Sequence, residues 1–161
     1  MNSKRGDEFV FDSSAFINGA HHHYHLDTMR PVWDLVEAAI DDGRVVLIRA
    51  VYREVLEQDD EISKLVARHA EAIAEPTEQA QRRAGEFEGF FSRSKLRDQA
   101  DPWVMAEAEA REAVVVTYEG ITFSGDPAKG SDKKLPAICK NVGLDCCTLA
   151  QALRDLGLKL G

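Results

Sequence analysis

A chain of 161 residues, 44% hydrophobic and 30% charged, has the length of one domain with a real core, and the composition of a globular rather than a disordered protein. Its net charge of −8 argues against nonspecific coating of nucleic acid, which needs a basic surface. No stretch approaches the roughly 18 apolar residues of a membrane span; the polar opening Met1-Asn2-Ser3-Lys4-Arg5-Gly6-Asp7 lacks a signal peptide's apolar core, so a cytoplasmic location with no membrane partner is expected.

Segments of two periods alternate along the chain. Glu8 to Asp12 reads as a short strand. Thr28 to Asp41 carries Val32, Leu35, Val36, Ala39 and Ile40 at helical spacing, with Pro31 in the first turn and Asp42-Gly43 as the stop. Val45-Val46-Leu47-Ile48 is a continuous apolar run of the kind buried on both faces of a parallel sheet. Val51 to Asp59 returns to helical spacing. Two Ala-, Glu- and Arg-rich helices are expected at about Glu61 to Ala74 and Thr77 to Arg93, and another begins at Asp101-Pro102.

Ala113 to Thr117 is a second buried-strand run, and Tyr118 to Lys134 a polar loop. Pro136 to Asn141 reads as a short helix, Leu144 to Cys147 as a last strand, and Thr148 to Leu156 as a closing helix. Strands linked by helical crossovers imply a short, mostly parallel sheet covered on both faces. One three-layer α/β/α domain over residues 1–161 is the expected fold. Cys139, Cys146 and Cys147 show neither a disulfide nor a zinc pattern and read as small residues in or near the core. Trp33 and Trp103 lie on helical stripes and read as core.

Four acids stand where apolar segments end. Asp12 follows the first strand directly, where ligands of an open parallel sheet bind; it also suits the cap of a following helix. Asp101 reads as a helix cap with Pro102 at the first helical position, and a carboxylate there also sits in a favourable dipole field. Glu54 lies one turn into the helix after the second strand, nearer its carboxyl end than Glu57 or Glu61, and Glu119 lies just past the next strand. Carboxylates gathered from such distant positions repel unless a cation holds them together. An all-oxygen ligand set suits Mg²⁺ or Mn²⁺, whose natural chemistry is in-line attack of water on a phosphodiester.

Strand-Asp12-Ser13-Ser14, then Val51-Tyr52-Arg53-Glu54-Val55-Leu56, Asp101-Pro102-Trp103-Val104-Met105-Ala106 and Val115-Val116-Thr117-Tyr118-Glu119 resemble, in order and spacing, the PIN-domain ribonucleases. This is the fold of VapC-type toxins of bacterial toxin–antitoxin pairs. More narrowly the chain resembles PIN-like proteins with an Asp-Pro-Trp-Val segment and a late Pro-x-Ile-Cys segment, here Pro136-Ala137-Ile138-Cys139. The resemblance spans nearly the whole chain. It implies a PIN-like fold and a metal-dependent endoribonuclease that leaves a 5′-phosphate and a 3′-hydroxyl. It further implies Asp12, Glu54 and Asp101 as the acidic triad on Mg²⁺ or Mn²⁺, and Glu119 where the family usually has Asp. The Ser13 and Ser14 hydroxyls could orient Asp12 or hold a metal-bound water, with Ser14 and Thr117 as the supporting residues.

A cognate antitoxin, a homodimer, and a clamp or dimer-contact role for the helical region at about 61–97 are likewise what the resemblance implies. The Glu119 departure leaves a second reading open, a catalytically weak PIN-like module that binds RNA or protein. A haloacid-dehalogenase-like phosphatase would need an Asp two residues after Asp12, where Ser14 stands.

Two further groups are candidates for RNA contact. His21-His22-His23-Tyr24-His25 reads as a solvated loop near the crevice, from which Tyr24 and His25 could stack on and bond to bases. Adjacent histidines do not converge on one ion in a regular element, so no metal is assigned there. Arg93, Lys95 and Arg97 form a basic run leading into Asp101, where a phosphate backbone would pass, and Lys129, Lys133 and Lys134 form a second such group.

Overall fold

The computed structural model describes residues 8–90, 100–118 and 135–159. Four short strands, β1 (Phe9–Phe11), β2 (Val45–Val46), β3 (Val114–Val116) and β4 (Cys146–Cys147), form one all-parallel sheet in the order β2-β1-β3-β4. Register is fixed by Phe9 opposite Val45 and Val114, and by Val115 opposite Cys146. Phe9, Val10 and Phe11 are wholly buried, which is why this central strand reads as an unbroken apolar run rather than an alternating one. Helices flank the sheet, giving the expected three-layer α/β/α arrangement.

The helices are α1 (Ser13–Asn18), α2 (Arg30–Asp41), α3 (Arg49–Leu56), α4 (Glu61–Ala67), α5 (Glu78–Phe87), α6 (Asp101–Arg111), α7 (Leu135–Val142) and α8 (Leu149–Asp155). Helix α1 begins at once after β1, capped by Asp12, and runs on through a π-helical turn at Gly19–His23. The histidine segment is therefore solvated, as expected, but helical rather than a loop. Its end is pinned where the Trp33 indole N–H donates to the Tyr24 carbonyl at 2.5 Å.

Several element boundaries differ from expectation for identifiable reasons. The Val45–Ile48 run is buried throughout, yet only Val45 and Val46 pair with β1. Ile48 instead forms an isolated parallel bridge to Ala74. The helix expected to reach Ala74 stops at Ala67, and after a 3₁₀ turn at Ala70–Ala72 the chain extends. Pro76 disfavours helix in the residue before it, and the extended stretch docks on the end of β2 through Ala74 N–H to Leu47 C=O, 2.8 Å. Helix α6 starts at Asp101 itself, with Ala100 in the cap position, so Asp101 is the first helical residue and not the cap. Helix α5 lies along α6, burying Ala80, Ala84 and Phe87, with Arg83 forked onto Glu109 at 2.7 and 3.1 Å and stacked over Phe87. Its expected continuation to Arg93 falls outside the described residues beyond Phe90, and most of the 118–134 loop does so too.

Helix α2 is tied to the α4 end by buried His69, whose Nε2 lies 2.8 Å from Glu37 Oε1 and Nδ1 2.9 Å from Asp41 Oδ1. Burial works against ionisation of Glu37, but hydrogen bonds from His69 and Arg68 outweigh it and hold the carboxyl below the usual glutamate range. A carboxyl with a lowered folded pKa stabilises fully above its unfolded value of about 4.3 and loses that contribution as pH falls through the folded value. Glu37→Gln should therefore show a shallower loss of stability than the parent protein as pH falls below about 4.3. His69→Ala should cost about 1.5–3 kcal/mol at neutral pH. Urea denaturation at a series of pH values checks both.

Candidate functional site

The order β2-β1-β3-β4 makes the chain leave β1 toward β2 on one side and return to β3 on the other. The crevice beyond the carboxyl ends of β1 and β3 is thus the topological switch point, where open parallel sheets bind ligands. Asp12 and Thr117 are the first residues past those two strands, and both are buried, at 1% and 0% exposure. The Asp12 N–H donates to Val116 C=O at 3.0 Å, so the backbone holds the carboxylate at the sheet's edge.

Both readings of Asp12 meet in one side chain. Its Oδ1 accepts from the Ala15 N–H at 2.9 Å, a helix cap, and lies 2.6 Å from Ser14 Oγ. With Asp12 ionised, Ser14 spends its single proton there and is left with acceptor lone pairs. These receive the Tyr118 N–H at 3.0 Å and face the Thr117 hydroxyl at 3.2 Å, with Thr117 as donor in that pair. Ser14 thus locks Asp12 to the end of β3.

Glu54 is half-buried, unlike the exposed Glu57 and Glu61 that share its region of sequence. Its Oε1 accepts from the Ser13 hydroxyl at 2.6 Å, and its Oε2 from the Ala100 N–H at 2.9 Å. One carboxylate from α3 therefore joins the residue after Asp12 to the residue before Asp101. Ala100 has no side chain with which to cap α6, and Glu54 supplies an acceptor from another helix. Asp101 then stands in the first turn of α6, where the helix dipole favours a negative charge.

Other expected site residues are placed as follows. Tyr24 is half-buried against the core, and His25 is exposed beside a separate recess that includes His21 and Asp60. His21 Nε2 lies 2.6 Å from Asp60 Oδ2. The ring that reaches the site from this segment is His23, stacked on Tyr118 with centroids 5.1 Å apart and planes 10° apart. Burial, and secondarily Tyr24, push the Tyr118 phenol up to about 12, so it stays neutral. Glu119, Arg93, Lys95, Arg97 and the lysines at 129, 133 and 134 lie outside the described residues.

Sequence patterns had marked Ser14 and Thr117, but not the Ser13–Glu54 bond or the His23–Tyr118 stack; the Ser-Ser pair after Asp12 was the one available signal. Cys139 is buried and Cys146 and Cys147 are half-buried; burial raises the Cys147 thiol to about 12, and a hydrogen bond with Cys139 followed by burial raises that of Cys146. Trp103 packs against the core but is half-buried, and it also lines a cavity with α3.

Residues 9–160 match the family described as Domain of unknown function (DUF4411). The chain belongs to that family. No curated protein matches it. The match starts at the first residue of β1 and runs past α8, so it takes in every strand of this sheet and the residues gathered at its carboxyl edge.

In donor chemistry the Asp12, Glu54 and Asp101 set offers hard oxygen ligands, which fit Mg²⁺ or Mn²⁺ better than softer ions. Among the described residues, no group of three His, Cys, Asp or Glu side chains is placed to hold a metal ion. Glu54 instead engages Ser13 and Ala100. Glu54→Gln keeps one oxygen for Ala100 while Ser13 can turn to donate or accept, so it should cost less than about 1 kcal/mol; Glu54→Ala strands both donors and should cost about 1.5–3 kcal/mol. Equilibrium denaturation of the two variants measures the difference.

Proposed function

We propose that this DUF4411 protein is a divalent-metal-dependent endoribonuclease of PIN-like type. The observation that carries the reading is the Glu54 bridge, which draws the chain beside Asp12 and the chain beside Asp101 into one corner of the switch-point crevice. Residues 13, 54 and 100 are far apart in sequence, and these two bonds bring together the segments that carry the three acids; carboxylates that converge need a positive partner to be stable together. In this proposal Asp12, Glu54 and Asp101 hold Mg²⁺ or Mn²⁺, with Glu119 as the fourth acid.

Bound there, the metal supplies Lewis-acid stabilisation of the phosphodiester and acidifies the attacking water. The chain's own residues do the positioning. Ser14 keeps Asp12 oriented through its bonds to Tyr118 and Thr117, and the Asp12 cap keeps α1 rigid behind it. The carboxylate of Glu54 would exchange its present donors for the cation, or share an oxygen, since an ionised carboxylate offers about four acceptor positions. The resemblance supports the further proposals that the protein is the toxin of a toxin–antitoxin pair and works as a homodimer. A chain of net charge −8 suits a basic partner segment, and Phe90, 51% exposed at the end of the α5 region, is an apolar contact available to a second copy.

A second reading, a PIN-like binding module of low activity, is favoured by Glu119, one methylene longer than the family's usual Asp. The two diverge in a cleavage assay on single-stranded RNA. The nuclease should cut only with Mg²⁺ or Mn²⁺, lose activity to EDTA, and fall roughly 100-fold or more in Asp12→Asn and in Asp101→Asn. Undiminished cleavage in either variant would remove the proposed site, and binding without cleavage in the parent protein would favour the module. Growth arrest on expression, relieved by Asp12→Asn, tests the toxin role.

A further inference from the structure

The histidine segment is anchored from beneath, although its own side chains are solvated. Gly19 and Ala20 are buried, and the Tyr24 N–H closes the π-helical turn onto the Gly19 carbonyl at 2.8 Å. A Cβ at position 19 would lie 2.7 Å from Leu149 Cδ2 and 3.5 Å from the Trp33 ring, so only glycine lets the turn rest on them. The Trp33 indole then holds the Tyr24 carbonyl. Single π-helical turns are rare and frequent at functional sites. Here the turn fixes where the histidine rings go: His21 to Asp60, and His23, two residues on, to Tyr118.

The His23–Tyr118 pair stands beside Asp12. Tyr118 comes two residues after β3, and its N–H donates to Ser14 Oγ, the same oxygen that lies 2.6 Å from Asp12 Oδ1. The two rings are nearly parallel, 10° apart with centroids at 5.1 Å, so the phenol covers one face of the imidazole. Tyr24 is tilted by 53° to the same imidazole and is not stacked on it. His23 is nevertheless exposed, and what it shows to solvent is its other face and its edge. Tyr118 stays neutral, so the pair adds no negative charge beside Asp12.

A flat ring held in place and open on one face suits the face of another ring. Histidine is among the side chains on which unpaired RNA bases stack, and such stacking accepts any base because each has a π-face. Ordering is already done: the Tyr118 stack and the anchored turn leave the His23 side chain little rotamer freedom to lose on binding. A base within a duplex has both faces covered by its neighbours and cannot use the ring. We infer that His23, backed by Tyr118, is the stacking platform for one unpaired base of an RNA strand whose backbone passes Asp12. The choice of RNA as occupant rests on the nuclease reading above; contact between a base and His23 is tested without any cleavage.

The test is fluorescence anisotropy of short labelled RNA strands with the full chain, in EDTA and again in Ca²⁺, a hard cation for the same oxygen ligands. His23→Ala, shown folded by its melting temperature, should bind a single strand about 10-fold more weakly, and His23→Phe, which keeps a flat ring, should stay within about 2-fold of the parent. On a strand of the same length made of abasic ribose, parent and His23→Ala should bind alike, because two groups in contact lose their coupling when either is removed. Fully paired RNA should not distinguish them either. Unchanged single-strand binding in His23→Ala overturns the inference, as does no binding in either buffer. An equal loss on abasic or paired RNA also overturns it, by making the ring a prop for Tyr118. So does an arginine-containing peptide that binds more tightly than the RNA and loses more in His23→Ala, which gives the ring to a protein partner. Base-dependent binding through His23 in a protein that cuts no RNA supports the platform and refutes the nuclease. If both hold, His23→Ala raises KM for cleavage about 10-fold with kcat unchanged; metal-dependent cleavage with an unchanged KM refutes the platform alone.

Discussion

Negative charge gathered at the end of a buried sheet is the constraint around which this corner of the molecule is organised. A carboxylate taken out of water is tolerable only when donors replace the water it lost. Asp12, with 1% exposure, has a hydroxyl and a backbone N–H on one oxygen. Glu54 has one donor on each oxygen, and Asp101 has the start of a helix. These donors come from β1's own continuation, from the chain before α6 and, through Ser14, from the end of β3. Satisfying the charges and positioning the elements are therefore one event.

The parallel sheet makes this possible. Because β1 and β3 are neighbours in the same direction, Asp12 and Thr117 emerge side by side. Helix α1 begins with no intervening loop, so Ser13 and Ser14 turn back on either side of the Asp12 cap, one toward Glu54 and one toward Tyr118. Two adjacent serines serve two different walls of the crevice.

Helix α6 joins this corner to the cavity beyond it. Its first residue is Asp101, and Trp103 and Glu107 follow along its length, facing α3. Helix α3 does the same with Arg49, Ala50, Arg53 and Glu54. The two helices thus join a charged, hydrogen-bonded region to a recess that Trp103 lines.

Much of the fold was legible in the chain. The runs Phe9-Val10-Phe11 and Ala113-Val114-Val115-Val116 are strands because continuous apolar side chains suit a sheet covered on both faces, and the 3.6-residue stripe of Val32, Val36, Ala39 and Ile40 marks α2. The positions of Asp12, Glu54 and Asp101 at the ends or beginnings of elements were likewise readable, since caps and turns are local chemistry. Where Val45–Ile48 leaves the sheet and which residue starts α6 were not, because each is decided by a partner distant in sequence: Ala74 and Glu54. The same holds for the cavity that Trp103 lines while it packs against the core, since the residues facing it come from α3. Sequence by itself determined the kinds of element, their order and the carboxylate chemistry at their ends; only the tertiary structure decided which donor meets which acid. Periodicity and capping are properties of neighbouring residues, whereas pairings across 41 to 46 residues exist only once the sheet order is set.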